Sequence, residues 1–230
     1  MSKTIVVVGF GPGISTAVAE TFGAGGFQVA LVARNEARLD AGVAALEAKG
    51  IKAAAFAADA GDPASIRAAL DKARAALGPL TVVHWNAYGG SETGDLLEAD
   101  PAAVGHVFDI AIVGLLAAVQ EALPDLKSAG DGAVLVTNGA FGELSPQVDA
   151  MAVGMKTMGV ALANGAKHKL VGLLSERLKA DGVYVGEVMV AGMVKGTAWA
   201  QAGGGIEPSA IAEQFWTLYR GRGELYARVS

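Results

Sequence analysis

Short apolar runs rich in β-branched residues recur along this chain, separated by longer stretches rich in Ala and Leu. The runs are TIVVV (4–8), FQVALVA (27–33), IKAAAFA (51–57), LTVVHW (80–85), GAVLVTN (132–138), VYVGEVMV (183–190) and a weaker LYARV (225–229). Continuous apolar character, without alternation, marks strands buried on both faces. The stretches between them, near 14–24, 36–48, 63–77, 101–127, 148–180 and 208–219, have the length of helices, and Pro208 suits a first helical turn. Strand–helix alternation with right-handed crossovers predicts an α/β fold. It is a doubly wound parallel sheet of about seven strands with helices on both faces. No linker, repeat or low-complexity tract interrupts the pattern, so residues 1–230 read as a single domain. QAGGGIEP (201–208) is the one flexible-looking loop.

Composition narrows what such a domain can do. A net charge of −5 without a Lys/Arg block argues against nucleic acid or an anionic membrane as the main partner. The chain has no cysteine, which removes disulfides, a thiol nucleophile and thiolate metal sites, and suits a cytoplasmic location. The first strand begins almost at Met1, leaving no room for a signal peptide. The longest apolar run, IAIVGLLAAV (110–119), is half a membrane span and reads as a buried helix. There is no G-x-x-x-x-G-K-[ST], G-x-S-x-G or H-E-x-x-H motif. The three histidines, His84, His106 and His168, lack metal-ligand spacing, so no metal is expected.

The first strand runs into GFGPGIS (9–15). Glycines at a strand–helix turn let the backbone approach a pyrophosphate, and the helix N-terminus behind them offers free N–H groups. Gly9, Gly11 and Gly13 suit that task, although Ile14 stands where the third Gly of G-x-G-x-x-G would fall. Alone, this is also what a tight turn in any α/β protein looks like. The second strand ends ALVARN. An NAD site usually has an acid there for the ribose 2′-hydroxyl. Here Ala33 removes it, and Arg34, with Asn35 beside it, can bind a 2′-phosphate. This points to NADP(H), against the plainer reading of a solvated Arg. Asp59 and Ala60 follow the third strand, HWNAYGG ends the fourth and VAGMVKGT follows the sixth.

In this order the features resemble the short-chain dehydrogenase/reductase family over nearly the whole chain, and the resemblance implies a Rossmann-like fold. Of the family's T-G-x-x-x-G-x-G turn the chain keeps Gly9 and Gly13, with Val8 for Thr and Ser15 for the last Gly. The resemblance implies that Asp59 meets adenine. Of N-N-A-G, Asn86 and Ala87 survive, with Tyr88 for the final Gly. Of P-G-x-x-x-T, aligned on Ala191–Thr197 with Val194 inside it, Gly192 and Thr197 survive. Thr197 would lie near the nicotinamide carboxamide or the pyrophosphate.

The family's chemistry uses Asn, Ser, Tyr and Lys, with Tyr as general acid/base and Lys lowering its pKa and binding the nicotinamide ribose. Here FDIAIVG puts Ala111 at the Asn position, and VLVTNGAFG puts Gly139, flanked by Asn138, at the Ser position. No tyrosine lies between Tyr88 and Tyr184, so the Tyr is missing in any register. The Lys is Lys156, with Ala152 in place of Tyr, or Lys167, with Ala163, and the spacing leans to Lys167. Tyr88 at the crevice mouth could donate a proton or stack on the cofactor, and Asn138 could hydrogen-bond a substrate oxygen. Glu143 and Asp149 fall in the expected substrate segment, where surface charge is the plainer reading. Met151, Met155 and Met158 lie at helical spacing and suit core or pocket lining.

Two functions compete. One is an NADP(H)-dependent oxidoreductase of atypical mechanism on a small apolar carbonyl, alcohol or conjugated alkene. Its catalytic set is Lys167, Tyr88 and Asn138, in a homodimer or homotetramer. The other is an NADP(H)-binding sensor or partner subunit without turnover, with a non-redox isomerase or lyase as a further variant.

Overall fold

The computed structural model describes residues 2–90, 92–197, 200 and 204–230. Among them the strands are β1 (Lys3–Val8), β2 (Phe27–Ala33), β3 (Ala53–Ala57), β4 (Leu80–Trp85), β5 (Ala133–Gly139), β6 (Tyr184–Val190) and β7 (Tyr226–Val229). They form one seven-stranded sheet, every pairing parallel, in the order β3-β2-β1-β4-β5-β6-β7. The helices are α1 (Ile14–Ala24), α2 (Glu36–Glu47), α3 (Pro63–Leu77), α4 (Pro101–Phe108), α5 (Leu115–Ser128), α6 (Pro146–Gly154), α7 (Met158–Leu178) and α8 (Pro208–Gly221).

Alternate residues of each strand feed two cores. Val6 and Val8 of β1, Val83 and Trp85 of β4, and Val134 and Val136 of β5 pack under α3, α5 and α7. Ile5 and Val7 of β1, Leu31 of β2 and Val188 of β6 pack on the other face under α1, α2 and α8. The strands are apolar throughout because both faces are covered. Pro at the first turn starts α3, α4, α6 and α8, and Asp62, Asp100 and Ser145 cap the first three of these by accepting from backbone N–H groups.

The expected helix over 101–127 is α4 and α5 joined by a π-helical turn, Asp109–Gly114. The run Pro101–Ser128 is long and apolar enough to cross a membrane. Leu115, Ala118, Val119, Ala122 and Leu126 instead line the core beneath it, so it is a layer of the sandwich. The single helix expected over 148–180 is two helices, broken where Lys156 takes a left-handed φ of 52°. Of the expected loop 201–208, residues 201–203 lie outside the described residues.

The order of the strands places the site. The chain runs outward from β1 to β2 and β3, then returns to place β4 on the other side of β1. Ligands of open α/β sheets bind in the crevice at such a switch point, beyond the carboxyl ends of the strands.

Candidate cofactor and active site

The turn after β1 needs its glycines unequally. Gly9 has φ 84°, and a Cβ there would lie 2.4 Å from the backbone nitrogen of Ala87. Gly13 has φ 91°, and its Cβ would meet the Thr197 methyl at 2.9 Å. Gly11 has no such constraint, the nearest atom to its Cβ being Arg38 Nη1 at 3.7 Å. Ser15, in place of the family's last glycine, is fully buried, and its hydroxyl accepts from Gly11 N and donates to Gly11 O, both at 2.9 Å. Thr16 Oγ1 donates to the same carbonyl at 2.8 Å. The turn is thus tied to the helix behind it. No side chain among the described residues caps the N-terminus of α1, so the amides of its first turn lack a side-chain partner.

Around this turn the structure gathers most of the residues singled out in the sequence. Asn86 follows β4, its N–H donating to Val8 O at 2.8 Å and its Nδ2 to Gly9 O at 3.4 Å. Ala87 is buried against Gly9. The segment after β6 folds back through a bridge between Val194 and Ile206 and hydrogen bonds from Lys195 N to Ile206 O and from Ile206 N to Met193 O. That fold-back seats Thr197 beside Gly13, with Thr197 Oγ1 donating to Val194 O at 2.7 Å. Gly192 lies under Ile206. Ile14 opens α1.

On the other side of the turn, Arg34 is exposed at the end of β2. Asn35 caps α2, its Oδ1 accepting from Arg38 N at 2.8 Å. Arg38 is a second guanidinium that sequence reasoning passed over, and it leans over Gly11. Its signal was present in ARNEAR, where a second Arg follows the first by four. Arg38 lines a groove of about 330 Å³ between α1 and α2, together with Gly11, Thr16, Glu20 and Gly42, and Arg34 is not among its lining residues. Asp59 Oδ1 accepts from Gly61 N at 2.9 Å, and Ala60 O lies so close to Gly114 that a Cβ there would sit 1.9 Å away. The π turn therefore presses against the loop that carries Asp59.

The catalytic half is built differently from the family pattern. Ala111, in the π turn, is buried with Val107 and Ala163 in a small apolar cluster. Ala163 and Lys167 lie four apart on α7 and both are buried. Ala152 is on α6, but Lys156 lies beyond its end, exposed in the turn before α7. Only the second pair sits on one face of one helix. Burial pushes the Lys167 amine down to about 8, while the charge of Glu187 pulls it back up.

Asn138 is 2% exposed, and its hydrogen bonds are made inside the protein. Its Nδ2 donates to Asn164 O at 3.0 Å and to Glu187 Oε1 at 3.3 Å, and its Oδ1 accepts from Gly139 N at 3.1 Å. Tyr88 stands 60% exposed beyond β4. Glu143 pairs with Arg228, and Met151 and Met155 are exposed on and just after α6. His84, by contrast, is a core residue, fully buried beside Thr137 and Phe215. Sequence reasoning missed Glu187 altogether, because a lone acid in an apolar strand carries no motif.

Residues 3–201 match the short chain dehydrogenase family, so the chain belongs to it. The particular relatives are distant. A short-chain dehydrogenase/reductase, SDRA, of Arabidopsis thaliana is 27% identical over 145 residues, 63% of this chain and 56% of that protein. The matched region thus spans little over half of that relative. The 2-(S)-hydroxypropyl-CoM dehydrogenase 3 of Xanthobacter autotrophicus is 29% identical over 188 residues, 81% of this chain and 70% of that one. The fold superposes on L-sorbose reductase from Gluconobacter frateurii, solved with NADPH and L-sorbose, with TM-score 0.86 and 18% identity, covering 100% and 95% of the two chains. A metagenomic short-chain oxidoreductase solved with NADP gives TM-score 0.81 at 22% identity, covering 99% and 95%.

Proposed function

We propose that this protein is an NADP(H)-dependent oxidoreductase of atypical mechanism, acting on a small, largely apolar carbonyl, alcohol or conjugated alkene. One observation carries the reading. An uncapped helix N-terminus, two glycines with no room for a Cβ and an exposed arginine at the end of β2 converge on the switch point of the sheet. That donor set fits a pyrophosphate and a 2′-phosphate. Relatives solved with NADP or NADPH support the choice of cofactor.

In this reading Gly9, Gly13, Ile14 and Thr197 hold the pyrophosphate side, with Arg34 and Arg38 on the 2′-phosphate and Asp59 and Ala60 beside the adenine. Asn86 and Ala87 wall the crevice, and Gly192 and Val194 shape its lid. The nicotinamide, when bound, supplies or accepts hydride. Lys167 holds the ribose and keeps a proton close to the reacting oxygen, in the absence of the family tyrosine. Tyr88 contributes at the rim. Asn138, committed to Asn164 and Glu187, acts by positioning rather than on substrate. Leu144, Met151, Met155 and Met193, all exposed on segments following β5 and β6, favour an apolar substrate. Exposed Val113, Leu162 and Leu173 favour a homodimer or homotetramer, and the lack of cysteine favours the cytoplasm.

A second reading, a cofactor-binding protein without turnover, draws support from the apolar cluster of Ala111 and Ala163, which offers no acid. General acid–base help is typically worth 10²–10⁴-fold, so its loss slows reduction without preventing binding. Titration with NADPH and NADH, followed by NADPH oxidation with a carbonyl and enone panel, separates the two. Arg34→Ala should weaken NADPH at least about tenfold and leave NADH nearly unchanged. Failure to bind either nucleotide defeats both readings, and tight binding without turnover favours the second. A rate unaffected by Tyr88→Phe removes Tyr88 from the mechanism.

A further inference from the structure

The carboxyl end of β5 rests against α7 through small residues. A Cβ on Gly142, in the short turn Ala140–Gly142, would lie 2.6 Å from the Asn164 carbonyl carbon and 2.8 Å from Gly165 N. Asn138 Nδ2 donates to Asn164 O at 3.0 Å, and Asn138 Oδ1 accepts from Gly139 N at 3.1 Å. The backbone of α7 at Asn164 is thus fixed from two sides. Its side chain is not. Asn164 is 6% exposed, yet its side-chain amide has no hydrogen-bond partner among the described residues. The sealed side-chain atoms without a partner are Gln28 Oε1, His84 Nδ1, Trp85 Nε1 and Glu187 Oε2 among those residues. The Asn164 amide is not one of them, so solvent still touches it. An unbonded amide at this depth is costly, and Asn is disfavoured inside a helix because it competes with the backbone. Nothing among the described residues offsets either cost.

The amide points at the end of β5. A Cβ on Gly139 would lie 2.6 Å from Asn164 Nδ2, 3.5 Å from Cγ and 3.8 Å from Oδ1. The amino group therefore leads, and a side chain at position 139 would push it aside. Gly139 has an ordinary φ of −109°, so its lack of a side chain answers to Asn164 and not to backbone conformation. It is part-exposed where β5 ends, on the strand that pairs with β4 beside the crevice.

We propose that Asn164 is a substrate-binding residue whose Nδ2 donates to the oxygen of the carbonyl or alcohol, with Gly139 leaving it the room. The leading atom is a donor, so the ligand atom it recognises is an acceptor, which such an oxygen supplies and a hydrocarbon does not. Asn164 precedes Lys167 by three on α7, about one turn along the same face, and both are buried. The inference rests on the oxidoreductase reading above and adds to it the group that holds the substrate oxygen. An amide orients and polarises that oxygen without protonating it.

The test is an NMR titration of the isotope-labelled chain with cyclohexenone, run with saturating NADP+, which cannot reduce it, and again without nucleotide. The Asn164 side-chain amide pair, assigned through its own backbone, should shift as the ketone binds. Asn164→Asp, which keeps the shape and loses the donor, and Asn164→Ala should each weaken cyclohexenone about fivefold or more and leave NADPH within about twofold. An amide pair that stays still under both conditions overturns the proposal, and so does cyclohexenone bound equally by the unmodified protein and the variants. The first of these readings needs no variant to fold. A parallel NADPH titration of the unmodified chain judges the cofactor reading by itself. NADPH binding with a still amide pair defeats this inference alone, and a moving pair without NADPH binding defeats the cofactor reading alone.

Discussion

Gly9 and Gly11 stand two residues apart in one turn, yet the backbone demands different things of them. Gly9 combines a left-handed φ with contact against the Ala87 backbone, so Gly9→Ala should cost about 2 kcal/mol or more and weaken NADPH binding. Gly11→Ala would meet only the flexible Arg38 side chain at an ordinary 3.7 Å and has an ordinary φ, and should leave both within about 0.5 kcal/mol. Chemical denaturation and nucleotide titration of the two variants check this, and equal losses would refute the steric account. The sequence motif ranks the glycines alike because it records residue type and not φ. Asn138 shows the same limit. Its position next to Gly139 was legible, but the bonds that tie down its amide come from Asn164 and Glu187, 26 and 49 residues away.

At the scale of elements, strands and helices were legible because apolar runs and Ala/Leu stretches follow their own periods. The interruptions were not. The break between α6 and α7 falls at Lys156, a residue with no turn preference to betray its left-handed φ. The π turn at Asp109–Gly114 answers to Ala60, far along the chain, whose carbonyl forbids any side chain at Gly114. Packing between elements was equally hidden. Arg74 of α3 reaches α5, its Nε donating to Asp125 Oδ2 at 2.7 Å and its Nη2 to Glu121 O at 3.0 Å, while Nη1 pairs with Asp71 of its own helix. The pair Arg74–Asp125 is mostly shielded, with side chains 29% and 17% exposed. Arg74→Ala should therefore destabilise by about 1–2 kcal/mol, above the usual yield of a surface pair. Urea denaturation at low and high salt measures it, and a loss that disappears at high salt would reduce the staple to a screened surface charge.

At the scale of the whole molecule, the sheet and α8 are joined over a histidine whose charge the fold cannot accept. His84 of β4 is fully buried, its Nε2 3.1 Å from Thr137 Oγ1 and its ring against Phe215 of α8. Its Nδ1 is buried without a partner among the described residues. Burial alone pushes its pKa down to about 3, from 6.5. Between these values the unfolded chain binds a proton that the folded chain refuses, so stability rises with pH and is lost as pH falls below about 6.5. From pH 6.5 to pH 5 the loss should be about 2 kcal/mol. Asp131 and Asp181 have pKa values lowered from an ordinary 3.8 by their ion pairs and hydrogen bonds, so their contributions fade only in stronger acid. The window from pH 6.5 to about 4 is thus where His84 shows most clearly. Denaturation curves across that range should slope in the unmodified protein and flatten in His84→Leu, whose side chain has no proton to refuse. An equal slope in both would place the acid sensitivity elsewhere than between β4 and α8.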